Sequence, residues 1–261
     1  MFERTGALVI GALAWVGSLG IFGMRAIRGV FLPPLEAREI FRQIYDVGWR
    51  SVPLIAVSGF AVGIVMSMHT RSSLERFGAE ALIPAGLAIA LFRETGPLIT
   101  GLLVSGRVGA GIGAELGGMR VTEQIDAMES LAVDSFKTLV VTRVIACMIA
   151  LPILTTVMNF SGIGGGFVAE SFIADVSFRL FFDRSFSNIQ FVDYVPATVK
   201  TIVFGFIIAT VSSFLGYNTS GGAEGVGRAS TQSVVFSSIL LIVTNVLLVK
   251  MIVFLFPEMA E

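Results

Sequence analysis

Five long, almost uncharged stretches constrain this chain more than any other feature of its sequence. A helix needs roughly 20 residues to cross about 30 Å of hydrocarbon, and each stretch is that long. Only 14% of the residues are charged, whereas soluble domains carry about 25%, so the composition argues against a water-soluble fold. We predict an all-α integral membrane protein whose five spans cover residues 51–70, 81–106, 144–169, 195–217 and 229–249.

A sixth apolar run, residues 5–24, precedes these stretches and has two competing interpretations. It is long enough to span, but it is rich in glycine and is followed by the basic residues Arg25 and Arg28. It could therefore cross the membrane or lie along its surface as an amphipathic anchor. We favour the interfacial helix. The chain is then a single membrane domain, 1–261, with interfacial and elbow helices in 1–50 and the spans in 51–250.

The distribution of lysine and arginine predicts the orientation of the spans. With five spans and a cytoplasmic N-terminus, most basic residues of the connecting segments lie on the cytoplasmic side. This distribution agrees with the positive-inside rule. The C-terminus is then expected on the opposite side of the membrane.

An arginine and a glutamate, Arg93 and Glu94, interrupt the second stretch near its middle. An ionisable group at that depth costs roughly 2.5–3.5 kcal/mol, so it normally faces a protein interior or a wet cavity. Pro97 also leaves the carbonyl of Arg93 without its helical donor and favours a kink. Because adjacent helical residues point about 100° apart, each side chain needs its own partner, for which a second subunit is one source. The pair could brace neighbouring helices, or it could line a substrate cavity in which Arg93 faces an anionic headgroup.

The segment between the second and third stretches, residues 107–143, contains an amphipathic pattern. Val121, Ile125, Met128 and Ala132 recur at helical spacing, and the acidic residues lie on other faces. A short helix of this kind, within about 115–131, would suit docking onto a motor protein. An interfacial helix without a partner is the alternative.

Small residues predict close packing between helices. They recur every four positions at Gly101, Ser105, Gly109, Gly113 and Gly117. This pattern lets backbones approach closely in lipid, so we predict tight contacts between helices or between subunits. A second glycine group, Gly162 and residues 164–166, predicts a break near the outer end of the third span.

Several kinds of chemistry are not indicated. The sequence has no G-x-x-x-x-G-K-[ST] motif, so we predict that the chain is not itself a P-loop ATPase. One histidine, His69, and one cysteine, Cys147, argue against the usual histidine or cysteine metal sites. No nucleophile–base arrangement is apparent, and a net charge of −1 gives no indication of a nucleic-acid partner. We expect no catalytic residues, no metal and no cofactor in this chain.

A series of motifs from Arg93 onward resembles a known family. The motifs are Arg93-Glu-Thr-Gly-Pro97, Ser105-Gly-Arg-Val-Gly109, Ala114-Glu-Leu-Gly117, Thr122-Glu-Gln-Ile-Asp-Ala-Met128 and Gly221-Gly-Ala-Glu-Gly-Val-Gly-Arg-Ala229. Together with the hydrophobic layout, residues 40–250 resemble the MlaE-type permeases, the membrane subunits of lipid-transporting ABC systems that work with MCE-domain proteins. Ser135 departs from the family pattern, in which proline often follows Val-Asp.

The resemblance implies an MlaE-type ABC permease fold: an N-terminal interfacial helix, five spans and a two-fold homodimer that encloses a lipid cavity. We assign four residues to that cavity: Met66, His69, Arg93 and Glu94. The segment 115–131 looks like a coupling helix that docks on a cytoplasmic ABC ATPase, the subunit that would bind ATP and Mg. Its docking residues would be Glu115, Arg120, Glu123, Asp126 and Glu129. A periplasmic MCE-domain ring and a STAS-domain accessory protein are the other implied partners.

The resemblance also implies a function. We expect the permease subunit of a transporter in the bacterial inner membrane that moves phospholipid between that membrane and the outer envelope and so maintains outer-membrane lipid asymmetry. One rival is a secondary transporter in which Glu94 carries protons, which is weakened by the lack of a second acidic residue well inside any span. The other rival is a membrane scaffold that moves nothing.

Overall fold

The structure, a computed structural model, describes residues 2–33, 36–187 and 189–255. Every regular element within these ranges is a helix, which confirms the predicted all-α class. The α-helices are α1 Phe2–Phe31, α2 Ala37–Val47, α3 Val52–Leu74, α4 Ile83–Ala90, α5 Gly96–Val104, α6 Ala110–Val121, α7 Gln124–Ser130, α8 Thr142–Ala174, α9 Phe178–Ser187, α10 Phe191–Tyr217 and α11 Gly222–Leu255. Three π-helical turns, Leu91–Thr95, Ser105–Gly109 and Lys137–Val141, join some of them.

Five helical stretches of the described chain are long and apolar enough to cross a membrane. We number them as the first to fifth spans: Ala37–Phe77, Glu80–Val121, Lys137–Ala174, Phe191–Tyr217 and Gly222–Leu255. Each contains one predicted span, so the predicted number and order are confirmed. The apolar run at the N-terminus belongs to one helix, α1, and its interfacial position stays a prediction.

The connection between the second and third spans is shorter than predicted. The second span continues to Val121 and the third begins at Lys137, so Arg107 and Arg143 are helical and not part of a loop. The guanidinium of Arg143 is only 3% exposed and lies 2.9 Å from the carboxylate of Glu115. This pairing offsets the cost of placing charges within helices. The stretch 115–131 therefore comprises the end of α6 and the separate short helix α7.

The chain divides into two compact units, and the first shows the close packing that the small residues predict. Unit 1 comprises Met1–Ile44, Ser105–Cys147 and Phe206–Ser237. A Cβ added to Gly109 would lie 3.0 Å from the hydroxyl of Ser212, and one added to Gly113 would lie 3.0 Å from the carbonyl oxygen of Ala229. The second span thus contacts the fourth and fifth closely. Aromatic rings pack in the same unit: Trp15, Phe22, Phe136, Phe214 and Tyr217.

In the second unit, glycines join the first and third spans. Unit 2 comprises Tyr45–Val104, Met148–Gly205 and Ser238–Glu261. A Cβ on Gly63 would overlap the carbonyl of Gly162, and one on Gly165 would overlap the carbonyl of Phe60. The predicted break in the third span is wrong, because α8 runs unbroken from Thr142 to Ala174. These glycines permit close contact instead of ending the helix.

The phenylalanine-rich segment before the fourth span forms a short helix, α9. Phe181 of this helix is fully buried among Leu87, Leu91 and Ile163 of unit 2. The helix is therefore part of the chain's own core.

Candidate functional site

The charged pair of the second span lies in a π-helical turn, Leu91–Thr95, immediately before Gly96 and Pro97. Because proline has no N–H, the carbonyl oxygen of Arg93 lacks its ordinary helical donor. The ammonium group of Lys200, on the fourth span, donates to that oxygen at 3.0 Å. The unsatisfied carbonyl predicted from the sequence is thus satisfied by a side chain from another helix.

Lys200 also neutralises Glu94. Its Nζ lies 2.9 Å from Oε2 of Glu94, and its side chain is only 1% exposed. The side-chain amide of Asn245, on the fifth span, donates to the same carboxylate oxygen at 3.2 Å. Glu94 therefore joins the second, fourth and fifth spans within unit 2.

Arg93 has a different partner on the fourth span. Its Nε donates to Oδ1 of Asp193 at 2.6 Å, while Oδ2 of Asp193 accepts the backbone N–H of Gln190 at 2.9 Å. Asp193 thereby binds Arg93 and also caps the start of α10. The two adjacent side chains do point to separate partners, as predicted, and these partners belong to the same chain.

A cavity of about 180 Å³ opens beside the pair. Its polar wall is formed by Arg93 and Glu94, and its other wall is apolar, formed by Ala197, Val249, Ile252 and Val253. This volume is below the roughly 300–1,000 Å³ of drug-sized ligand sites, so it suits one polar group with the start of an apolar chain. Arg93 and Glu94 remain 32% and 45% exposed, so both can still reach a ligand.

The two other residues assigned to the cavity lie elsewhere in unit 2. Met66 packs against the core that contains Leu87 and Phe181. His69 is exposed, and its backbone carbonyl accepts hydrogen bonds from the hydroxyls of Ser72 and Ser73. Neither is among the residues that line the 180 Å³ cavity. A role for Met66 or His69 in binding lipid stays a prediction.

The residues assigned to ATPase coupling lie around α7, and most of them have partners within unit 1. Glu115 pairs with Arg143, and Arg120 with Asp126 at 2.5 Å. The carboxylate of Glu129 accepts hydrogen bonds from two hydroxyl groups. Glu123 is exposed at a left-handed turn, φ 58°, directly before α7. Their contact with an ATPase stays a prediction.

Sequence reasoning missed three residues of this site, namely Asp193, Lys200 and Asn245. Each is about 100 or more positions away from the pair, so no local pattern connects them to it. Lys200 did carry a signal, because it is a charge within the fourth apolar stretch. The lysine in the fourth stretch and the glutamate in the second have opposite charges, so they could have been predicted to pair.

These features define a class: a multi-pass helical membrane protein with an ion-paired polar site among its spans. The family described as Permease MlaE matches residues 40–251, and the chain belongs to this family of transport permeases.

Several relatives are similar over most of the chain. A probable ABC transporter permease protein of Rickettsia bellii is 39% identical over 236 residues, which cover 90% of this chain and 91% of the relative. One of Synechocystis is 36% identical over 211 residues, covering 81% and 80%. The chloroplast protein TRIGALACTOSYLDIACYLGLYCEROL 1 of Arabidopsis thaliana is 32% identical over 224 residues, covering 85% and 64%.

Proposed function

We propose that this protein is the membrane subunit of an ABC-type phospholipid transporter, acting as a homodimer in the bacterial inner membrane. Its N-terminus faces the cytoplasm and its C-terminus the periplasm. A separate ATPase supplies ATP hydrolysis, and a periplasmic MCE-domain ring and a STAS-domain protein complete the assembly. The transporter moves phospholipid between the inner membrane and the outer envelope and maintains outer-membrane lipid asymmetry.

The observation that carries this proposal is the chemistry of the cavity beside Arg93. Phospholipids combine a charged headgroup with apolar chains, and the cavity combines a charged wall with an apolar wall. The guanidinium of Arg93 is suited to a phosphate oxygen. The buried cation Lys200 neutralises Glu94, which reduces the repulsion that a free carboxylate would exert on an anionic group. The name of the Arabidopsis relative, which refers to a glycolipid, also favours a lipid substrate.

The exposed face of α7 supports the coupling to an ATPase. Among its residues only Ile125 is buried, so most of the helix is available to another protein. The names of the Rickettsia and Synechocystis relatives as ABC transporter permeases indicate that such a protein is an ATPase.

The proton-coupled alternative gains a second acidic residue from the structure. Asp193 is buried near the start of the fourth span, where it binds Arg93. The two mechanisms still predict different energy sources, since an ABC transporter requires ATP and a secondary transporter requires a pH gradient. The scaffold alternative predicts no lipid movement with either source.

The test is reconstitution of the full chain with its native ATPase in liposomes that contain fluorescent phospholipid. We expect lipid movement that depends on ATP and falls at least about tenfold in Arg93→Gln, because a charged hydrogen-bond donor to the headgroup is lost. Arg179→Gln is the matched control, since Arg179 is exposed on α9 and away from the cavity.

Two outcomes would contradict the proposed transporter: lipid movement driven by a pH gradient without ATP, and no lipid movement under either condition. Full transport by a variant in which Arg93 and Glu94 are both replaced by glutamine would contradict only the role of the pair in binding lipid. It would leave the pair as a structural brace between helices.

A further inference from the structure

A cluster of three polar side chains in unit 1 is not used by the lipid site. Oε1 of Glu129, on α7, accepts hydrogen bonds from the hydroxyl of Ser135 at 2.8 Å and from that of Tyr217 at 2.9 Å. The two hydroxyl oxygens are also 2.8 Å apart. The three oxygens form a closed triangle, and the two hydroxyl protons supply two hydrogen bonds within it at any one time.

Each member of the triangle belongs to a different element. Glu129 lies in α7, Ser135 lies two residues before the start of the third span, and Tyr217 is the last residue of the fourth span. Hydrogen bonds to an ionised carboxylate are about twice as strong as those between neutral groups. The cluster therefore fixes α7 to two spans through one charged atom.

Aromatic packing fixes the direction of the tyrosine hydroxyl. The ring of Tyr217 packs edge-on against Phe22 of α1 and against Phe136, each with centroids 6.3 Å apart. The guanidinium of Arg25 lies 4.1 Å from the centroid of the Phe136 ring, in a cation–π arrangement. Ser135 is itself only 2% exposed. Packing therefore holds the two hydroxyl donors in place independently of Glu129.

We infer that Glu129, Ser135 and Tyr217 are positioning residues that transmit movement of α7 to the fourth span. This inference rests on the proposed function, in which α7 is moved by the ATPase. The fourth span is one helix from Phe191 to Tyr217, and it also carries Asp193 and Lys200, the partners of the charged pair. A displacement of Tyr217 therefore acts on the helix that holds the lipid site.

Within the described residues, the hydrogen bond from Tyr217 to Glu129 is the polar contact that joins α7 to the fourth span. Ile125 is its one buried residue, and Asp126 pairs with Arg120 at the end of the second span. Loss of the triangle should leave α7 folded and able to bind the ATPase, while the fourth span no longer follows its movement.

The test compares Tyr217→Phe and Ser135→Ala with the wild-type chain, each in complex with its native ATPase in liposomes. ATP hydrolysis and phospholipid movement are measured in the same preparation. We expect hydrolysis to stay within about twofold of the wild-type rate, while lipid moved per ATP falls about tenfold, the change that accompanies loss of one hydrogen bond to a charged group.

Two further variants separate coupling from a purely structural role. Ser135→Thr keeps the hydroxyl and should retain transport per ATP. Tyr45→Phe removes a hydroxyl from an exposed tyrosine and should have no effect. Because the three groups act together, Tyr217→Phe combined with Glu129→Ala should be no worse than the more severe single variant.

The inference is overturned if Tyr217→Phe and Ser135→Ala transport as much lipid per ATP as the wild type, or if hydrolysis and transport fall in parallel. A wild-type complex that hydrolyses ATP and moves no lipid would instead contradict the proposed function itself. The wild-type measurement therefore separates failure of the inference from failure of the function on which it rests.

Discussion

Glu94 and Glu129 both accept two hydrogen bonds, but their donors differ in kind. Glu94 lies within the second span and binds the ammonium of Lys200 and the amide of Asn245. Glu129 lies between spans, is exposed to solvent, and binds two neutral hydroxyls, those of Ser135 and Tyr217. A carboxylate among membrane spans needs a counter-charge, whereas one in water needs only groups that orient it.

The partners of Glu94 therefore serve stability, whereas those of Glu129 serve positioning. At Glu94 the partner determines whether the charge is tolerated at all, so its removal should destabilise the protein. At Glu129 water can solvate the carboxylate when a hydroxyl is lost, so the free energy of unfolding should change little. The position of α7 relative to Ser135 and Tyr217 is then no longer fixed.

Lys200→Met should have the largest effect on stability. It removes a cation that is 1% exposed and leaves Glu94 with one neutral donor. Removal of one partner from a buried pair typically costs about 3–5 kcal/mol. Since Glu94 is partly exposed, we expect a loss of about 3 kcal/mol in the free energy of unfolding, measured by denaturant titration in mild detergent.

Lys250→Met is the matched control, because Lys250 is exposed at the far end of the fifth span. Adding Glu94→Gln to Lys200→Met should restore part of the stability, since no unpaired carboxylate remains. If the single variant is as stable as the wild type, Glu94 does not require a counter-charge and does not differ from Glu129 in this respect.

Asp193→Asn should have a smaller effect. The amide can still accept a hydrogen bond, but the charge that faces Arg93 is lost. Arg93 is 32% exposed and can be solvated in part, so we expect a loss of about 1.5 kcal/mol in the same titration. Asp183→Asn, in α9, controls for removal of an acidic residue. A loss as large as that of Lys200→Met would show that both charges of the pair depend equally on their partners.

The span architecture was predictable from the sequence, while the partners of the charged pair were not. Apolar length alone gave the number and order of the spans, because crossing the membrane imposes a minimum length. Arg93 and Glu94 were identified by depth, and Pro97 predicted the unsatisfied carbonyl. Identification of the donor, Lys200, requires the packing of the fourth span against the second, which no local pattern encodes.

Two errors had the same physical origin. Charges at Arg107 and Arg143 were interpreted as loop, and the glycines near Gly162 as a helix break. In the structure, Arg143 is helical and paired with Glu115, and Gly162 lies against the first span. Both interpretations treated each helix as isolated in lipid. In the structure, a neighbouring helix supplies the ion-pair partner of the arginine, and close contact between two helix backbones requires the glycine.

Acidification should have the smallest effect, and it acts on Glu129. Hydrogen bonds from Ser135 and then from Tyr217 lower the pKa of its carboxyl below the ordinary value of 4.5, and Arg120 and Arg25 lower it further by their charge. Because the pKa is lower in the folded state, the contribution to stability is complete above the unfolded-state pKa. It is lost as the pH falls through the folded-state pKa.

The measurement is the difference in thermal unfolding midpoint between the wild type and Glu129→Gln. We expect this difference to be small at about pH 7 and to vanish once the pH has fallen through the lowered folded-state pKa of Glu129, since protonation makes the wild-type carboxyl as neutral as the amide. Glu94→Gln provides the comparison within the spans, and its difference from the wild type should be larger at neutral pH. A larger difference for Glu129→Gln than for Glu94→Gln would reverse the contrast, because the exposed carboxylate would then depend more on its partners than the one among the spans.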